Sequence, residues 1–283
     1  MVKKVIAIAL YSIRQWTAEI RIFLLFTLMI MFIWNDIIVI GRFASMMDMY
    51  TNPLVFSFYS SDPVKQLILF SGIIFLFSDA PFINQNQPYV MIRSRRLPWV
   101  LGQILYIMIA SAVYYLVLMC VSVIVLLPDA TFATNGWGKI INTLAQTNAG
   151  EQINLPFGIG EKITTFYSPV EAFLLSFLLN WGVAVSIGLL IFLISMKISK
   201  MVGLLSAAVI LFWDLLVVNA LPVKSCYFSP VTLSRLEALD VAGVSAAPNI
   251  TYALAFLGVC VAFLSALLII SVRKQSIEIM TEI

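Results

Sequence analysis

Apolar residues in this chain fall into six runs separated by polar, proline-marked breaks. The runs are Ile22 to Ile40, Val64 to Phe77, Val100 to Leu127, Val170 to Ser195, Met201 to Val218 and Tyr252 to Ser271. About 20 apolar residues cross a bilayer as a helix, so the pattern predicts an all-α, polytopic membrane protein with six transmembrane helices. The second run is short, but it extends through Ser78 and Asp79. The third is long enough to cross with tilt. Asn35 and Asp36 lie toward the outer end of the first run, and Asp214 lies near the end of the fifth. A carboxylate is costly at the bilayer centre, so these acids, with Asp79 and Glu171, are placed near membrane ends, as interface or packing residues, with a proton or cation path as the other reading.

The stretch before the first run has a different period. Val5, Ile6, Ala9, Ile13, Trp16 and Ile20 recur at spacings of one, three and four, with Lys4, Arg14, Gln15 and Arg21 on the other side. This predicts an amphipathic helix lying in the interface, with Trp16 at headgroup depth. An ordinary juxtamembrane tail is the blander reading. The polar breaks have their own signals. Asn135-Gly136, Gly150, Pro156 and Gly158 mark turns, with a short helix expected over Gly138 to Thr147. Ser168-Pro169 followed by Glu171 reads as a helix start: a serine cap, proline in the first position, an acid in the first turn.

Composition agrees with the membrane reading. The 283 residues are 61% hydrophobic and 11% charged, with mean hydropathy +1.01, against about 25% charge in a soluble domain. The net charge of +3 comes with no long basic face, so nucleic acid is not an expected partner. Cys120, Cys226 and Cys260 stand apart and form neither a disulfide framework nor a metal-ligand spacing. Histidine is absent from the sequence. The opening MVKKVIAIALYSIRQW resembles a signal peptide until Arg14, Glu19 and Arg21 interrupt it, and no small-residue cleavage site follows. It is expected to be retained.

Positive charge orients the spans. Lys3, Lys4, Arg14, Arg21, Arg93, Arg95, Arg96, Lys197, Lys200, Arg273 and Lys274 fall on one side if there are six spans, and these are eleven of the 17 basic residues. The other six, Arg42, Lys65, Lys139, Lys162, Lys224 and Arg235, fall on the other side or its border, in longer segments. The positive-inside rule then places both termini in the cytoplasm of a multi-pass plasma-membrane protein. The expected organisation is an interfacial helix over 1–21, a transmembrane domain over 22–274, outer segments at 41–63, 128–169 and 220–250, and a cytoplasmic tail at 275–283.

Within that domain, the loop over 80–99 is a polar island between spans two and three, and it carries the cluster Arg93, Arg95 and Arg96. One reading makes it a topological anchor near anionic lipid. The other makes it a docking element, with Gln87, Pro88 and Tyr89 opening a short helix through Ser94, and Pro98-Trp99 launching the third span. Asp79 likewise has two readings. It pairs with an arginine of the island, or it caps a short helix beginning at Pro81. Catalytic strings are missing from the sequence: there is no phosphate-binding G-x-x-x-x-G-K-[ST], no G-x-S-x-G and no H-E-x-x-H. The chain is not expected to be an enzyme.

The interfacial helix, the six spans and DAPFINQNQPYVMIRSRRLPWVLGQ between spans two and three resemble an ABC-2 type transporter permease, the transmembrane subunit of a type V ABC exporter. The resemblance covers nearly the whole chain. In that family an acid and a short cytoplasmic coupling helix precede a basic, often R-x-x-W-like stretch. Asp79, Arg93, Arg95, Arg96, Trp99 and Gln103 match this loosely. The long segment before span five of some relatives, which fills the outer vestibule, is absent; comparable elements fall between Ala220 and Pro248.

The resemblance implies a second permease subunit, identical or related, and cytosolic nucleotide-binding ATPase subunits that hold ATP and Mg. It implies that Asp79, Tyr89, Arg93, Arg95, Arg96 and Trp99 contact or position that motor, with Arg14 and Trp16 on the interfacial helix beside membrane lipid. The cargo would be a peptide, lipid or other amphiphile, moved outward, as in antimicrobial peptide export or self-protection in Gram-positive bacteria. The competing readings are an ion-coupled secondary transporter, a membrane enzyme acting on lipid, and a non-transport scaffold or immunity protein.

Overall fold

A computed structural model of the chain describes residues 1–82, 96–132, 136–241, 243 and 245–274. The protein is a helical bundle whose long elements are apolar. Five helices are long and apolar enough to cross a membrane: α2 (Ile20–Met46), α5 (Arg96–Leu126), α9 (Pro169–Lys197), α10 (Lys200–Asn219) and α11 (Ile250–Lys274). The second run of the sequence forms the shorter α4 (Pro63–Leu76). Its 14 residues reach roughly 21 Å at 1.5 Å per residue, against about 30 Å of hydrocarbon. Six apolar helices are therefore present among the described residues, but length alone makes only five of them spans. The expected short helix over Gln87 to Ser94 lies outside the described residues.

The direction of the chain alternates. The starts of α2, α5 and α10 lie at one end with the ends of α4 and α9. We call this the near end, and the opposite one the far end. Burial separates centre from rim: 67% of the apolar stretch of α9 is buried, against 17% for α11. The rim helices turn Phe23, Leu24 and Met31 of α2, Phe212 of α10 and Phe263 of α11 outward. Exposed phenylalanine and leucine on this scale suit lipid.

The helix boundaries have local causes. Asp62 caps α4, accepting from the backbone of Val64 and Lys65 at 3.0 Å each, with Pro63 in the first turn. Ser168 and Glu171 form the predicted capping box of α9: the Glu171 N–H donates to Ser168 Oγ (3.4 Å), and the Ser168 N–H to Glu171 Oε2 (3.1 Å). The first span outruns the sequence reading, which ended it at Ile40. Arg42 to Met46 contain no stop, and α2 continues until Asp48 takes a left-handed φ of 52° and the Met49 N–H returns to the Ala44 carbonyl at 3.0 Å.

The N-terminal helix α1 (Val2–Arg14) starts earlier than its apolar period suggested, and its α geometry stops at Arg14. A tight 3₁₀ turn, Gln15–Ala18, then leads into α2. The helix packs along α5. A Cβ on Gly102 would lie 2.7 Å from the Cβ and Cγ2 of Ile8, so only glycine allows this approach. Gly72 of α4 does the same against α5, where a Cβ would meet Tyr114 Oη at 2.3 Å. The Tyr114 hydroxyl instead donates to the Leu69 carbonyl (2.9 Å).

The far end is roofed by short elements: α3 (Phe56–Ser61), α6 (Gly138–Gln146), α7 (Ala149–Gln152), α8 (Glu161–Phe166) and the 3₁₀ turns Val223–Phe228, Thr232–Ser234 and Leu236–Ala238. α6 matches the helix expected over Gly138 to Thr147. Phe58 meets the ring of Trp137 at 4.6 Å, and Trp137 Nε1 donates to the Tyr167 carbonyl (2.9 Å). Val231, Leu233, Leu236 and Leu239 are buried, so the segment between α10 and α11 turns back into the bundle.

Candidate functional site

Asp79 leaves α4 at the near end, three residues beyond Leu76. Among the described residues its partners are not island arginines. Its carboxylate joins Arg21, at the start of α2, and accepts from Lys200 Nζ at 2.8 Å, at the start of α10. Arg21 also donates to Ser78 Oγ (2.6 Å) and to Glu19 Oε2 (2.9 Å). Burial pushes the Asp79 carboxyl up, but the Lys200 ammonium and the Arg21 guanidinium outweigh it and hold it below its ordinary value. One acid thus ties together the near ends of three helices that are far apart in sequence.

Beneath this cluster runs a line of aromatic rings. Trp16 Nε1 donates to Tyr106 Oη at 3.0 Å. Tyr106 meets Phe82 at 5.1 Å between ring centres, Phe82 stacks on Phe192 at 5.7 Å, and Phe192 meets Trp99 at 5.9 Å. Phe82 holds a positive φ of 61°, a conformation costly for a bulky residue. Its ring burial against Tyr106 and Phe192 opposes that cost. A crevice of ≈ 20 Å³ lies between Trp16, Arg21, Asp79, Phe82 and Tyr106. Ligand pockets run to several hundred Å³, so this crevice is not a cargo site.

The other predicted residues separate. Trp16 sits on the 3₁₀ turn rather than on α1 and points to Tyr106. Trp99 is buried in the bundle, and Arg96 opens α5 half-exposed. Arg14 is exposed on α1. Tyr89, Arg93 and Arg95 lie outside the described residues.

Sequence reasoning did not pair the acids of the far half. Asp214 of α10 is buried and joins the guanidinium of Arg235, while its Oδ1 accepts from Thr232 Oγ1 (2.6 Å) and Ser229 Oγ (3.1 Å). Arg235 Nε donates to Gln66 Oε1, and the Gln66 amide donates to Ser234 Oγ (2.6 Å) and the Val231 carbonyl (3.2 Å). The next residue on α4, Lys65, pairs with Asp36 of α2 at 2.8 Å. The signal available was Arg235 itself, the one cation between Ser225 and Ile250, in an apolar and hydroxyl-rich stretch. A cation in such surroundings needs a buried partner acid.

Chemically, both clusters hold helices together. Among the described residues no three His, Cys, Asp or Glu side chains converge as metal ligands. The fold and these clusters define a polytopic, all-helical membrane protein with several apolar spans. No protein-family model, curated protein or solved structure matches the chain.

Proposed function

We propose that the chain is the membrane subunit of an ATP-driven exporter, of the ABC-2 permease type. The observation that carries this reading is the Asp79 cluster. The segment leaving α4 toward the island is joined through one carboxylate to the bases of α2 and α10. A push on that segment would reach three apolar helices at once, which is what a subunit driven from the cytosol requires. The glycine-tight seat of α1 on α5 adds a second rigid element at the same end.

In this reading the near end is cytoplasmic. Cytosolic ATPase subunits grip the island over 80–99, and a second permease subunit, identical or related, completes the pathway. ATP and Mg belong to the partner. The cargo is an amphiphile, a peptide or lipid, moved outward across a Gram-positive plasma membrane. Asp79 positions the island, and Arg93, Arg95 and Arg96 lie where the motor docks.

The test is co-purification of the chain with any ATPase encoded beside it, followed by ATP hydrolysis in liposomes with and without antimicrobial peptide. The expected result is a stable complex that loses assembly or coupling when Arg93, Arg95 and Arg96 are changed to Glu, with topology checked by cysteine labelling. If no ATPase associates, the proposal fails. The ion-coupled alternative draws on Asp36 and Asp214. Each already contacts a cation, Lys65 or Arg235, which suits a structural pair better than a carrier site. Cargo movement driven by a proton gradient without any ATPase would reinstate it.

A further inference from the structure

We propose that α1 is a recognition surface for anionic phospholipid headgroups. The argument starts from how its residues divide around the helix, at about 100° per residue. Ile8, Ala9 and Ser12 are buried against the bundle and take up an arc of about 100°. Next to it, Val2, Ile6 and Leu10 form an exposed apolar stripe across about 80°. Lys3, Ala7 and Arg14 border that stripe, and Lys4 lies beyond them, all exposed. The helix therefore has three sides rather than the two that its sequence period suggested: one on protein, one apolar and outward, one basic.

A three-sided helix fits one place, the junction of protein, acyl chains and headgroups. Val2, Ile6 and Leu10 are too few to form a protein interface, which takes roughly 800 Å² per partner. Lys3, beside the stripe, has a long stem that reaches from it to the phosphate layer, and Lys4 adds a second charge to the basic side. Val2–Arg14 contains no acid, so nothing on the helix repels a phosphate. The mounting is rigid, through Gly102 against Ile8 and Trp16 Nε1 on Tyr106 Oη at 3.0 Å. Charge complementarity selects an anionic headgroup over a zwitterionic one. This inference does not depend on an ATPase partner.

The experiment uses the full chain reconstituted in phosphatidylcholine bilayers with a minority of phosphatidylglycerol. A photo-crosslinking benzoylphenylalanine replaces Leu10, and a parallel protein carries it at Ala7 on the polar side. Lipid adducts are counted by mass spectrometry. The position-10 protein should capture phosphatidylglycerol above its bulk share. Adding Lys3→Gln and Lys4→Gln should lower the odds of phosphatidylglycerol over phosphatidylcholine capture by up to about 30-fold, at about 1 kcal/mol per cation near an anionic surface. High salt should weaken it too, and position 7 should yield fewer lipid adducts. Capture at the bulk lipid ratio, enrichment unchanged in the double variant, or adducts to protein in place of lipid would each overturn the proposal.

Discussion

At its near end α4 is held by a cluster open to solvent, and at its far end by clusters sealed in the bundle. Asp79 and Lys200 keep 41% and 50% of their side chains exposed, whereas Asp214 and Arg235 keep 0% and 4%. The partners are the same helices in both places. α2 supplies Arg21 below and Asp36 above; α10 supplies Lys200 below and Asp214 above. The difference lies in the dielectric. An exposed pair contributes about 0–1 kcal/mol and is screened by salt. A buried pair adds little net stability, yet breaking it by removing one partner costs roughly 3–5 kcal/mol. The far end is thus the fixed end of α4, and the near end is the one that small forces can change.

Breaking the sealed side should give the largest effect. Asp214→Ala leaves the Arg235 guanidinium buried without its carboxylate and should destabilise the protein by roughly 3–5 kcal/mol, read as loss of folded protein in thermal unfolding in detergent. The pair Asp214→Leu with Arg235→Met should recover most of that loss. If the double variant is as unstable as the single one, the charge argument is wrong and the hydroxyl network around Asp214 matters more. Lys65→Met should cost somewhat less, roughly 2–4 kcal/mol, because this pair is less completely buried than Asp214–Arg235, with 12% and 7% of the two side chains exposed. A neutral outcome would move the Asp36 pair to the solvent-like class.

The smallest effect is expected at the near end. Asp79→Asn should change stability by no more than about 1 kcal/mol, while reducing any coupling between the island and the spans. Its pH dependence has a definite sign. The folded carboxyl lies below its ordinary value, so its contribution is present above the unfolded value of about 3.9. It is lost as pH falls through the folded one. Unfolding of the parent and of Asp79→Asn should therefore converge on acidification. Divergence at low pH would contradict the assignment of Arg21 and Lys200 as its partners.

Much of the fold was legible because apolar runs and caps are local signals. The Ser168 box, the α6 turn and the six apolar helices all follow from residues within a few positions of one another. The clusters were not legible, because their partners lie far apart: Arg21 with Asp79, Asp79 with Lys200, Asp214 with Arg235. A sequence shows that a buried acid needs a cation but not which one. The length of α4 was misjudged for a related reason. Ser78 and Asp79 read as an extension of the run, whereas the helix ends at Leu76 and Asp79 turns to α2 and α10. Three-sided α1 was read as two-sided because a period of 3.6 separates apolar from polar, and does not separate protein from lipid.

The shortness of α4 bears on the membrane itself. Val64, Ser71 and Phe75 face outward along it, so lipid contacting this face would meet an apolar helix roughly 9 Å shorter than the usual hydrocarbon thickness. The buried ion pairs at its far end keep the helix from sliding to match. A bilayer matched to this one helix would thin beside it, at a fraction of a kcal/mol per Å of mismatch. Acyl-chain length thereby becomes a variable to which the near end, the softer of the two, responds first.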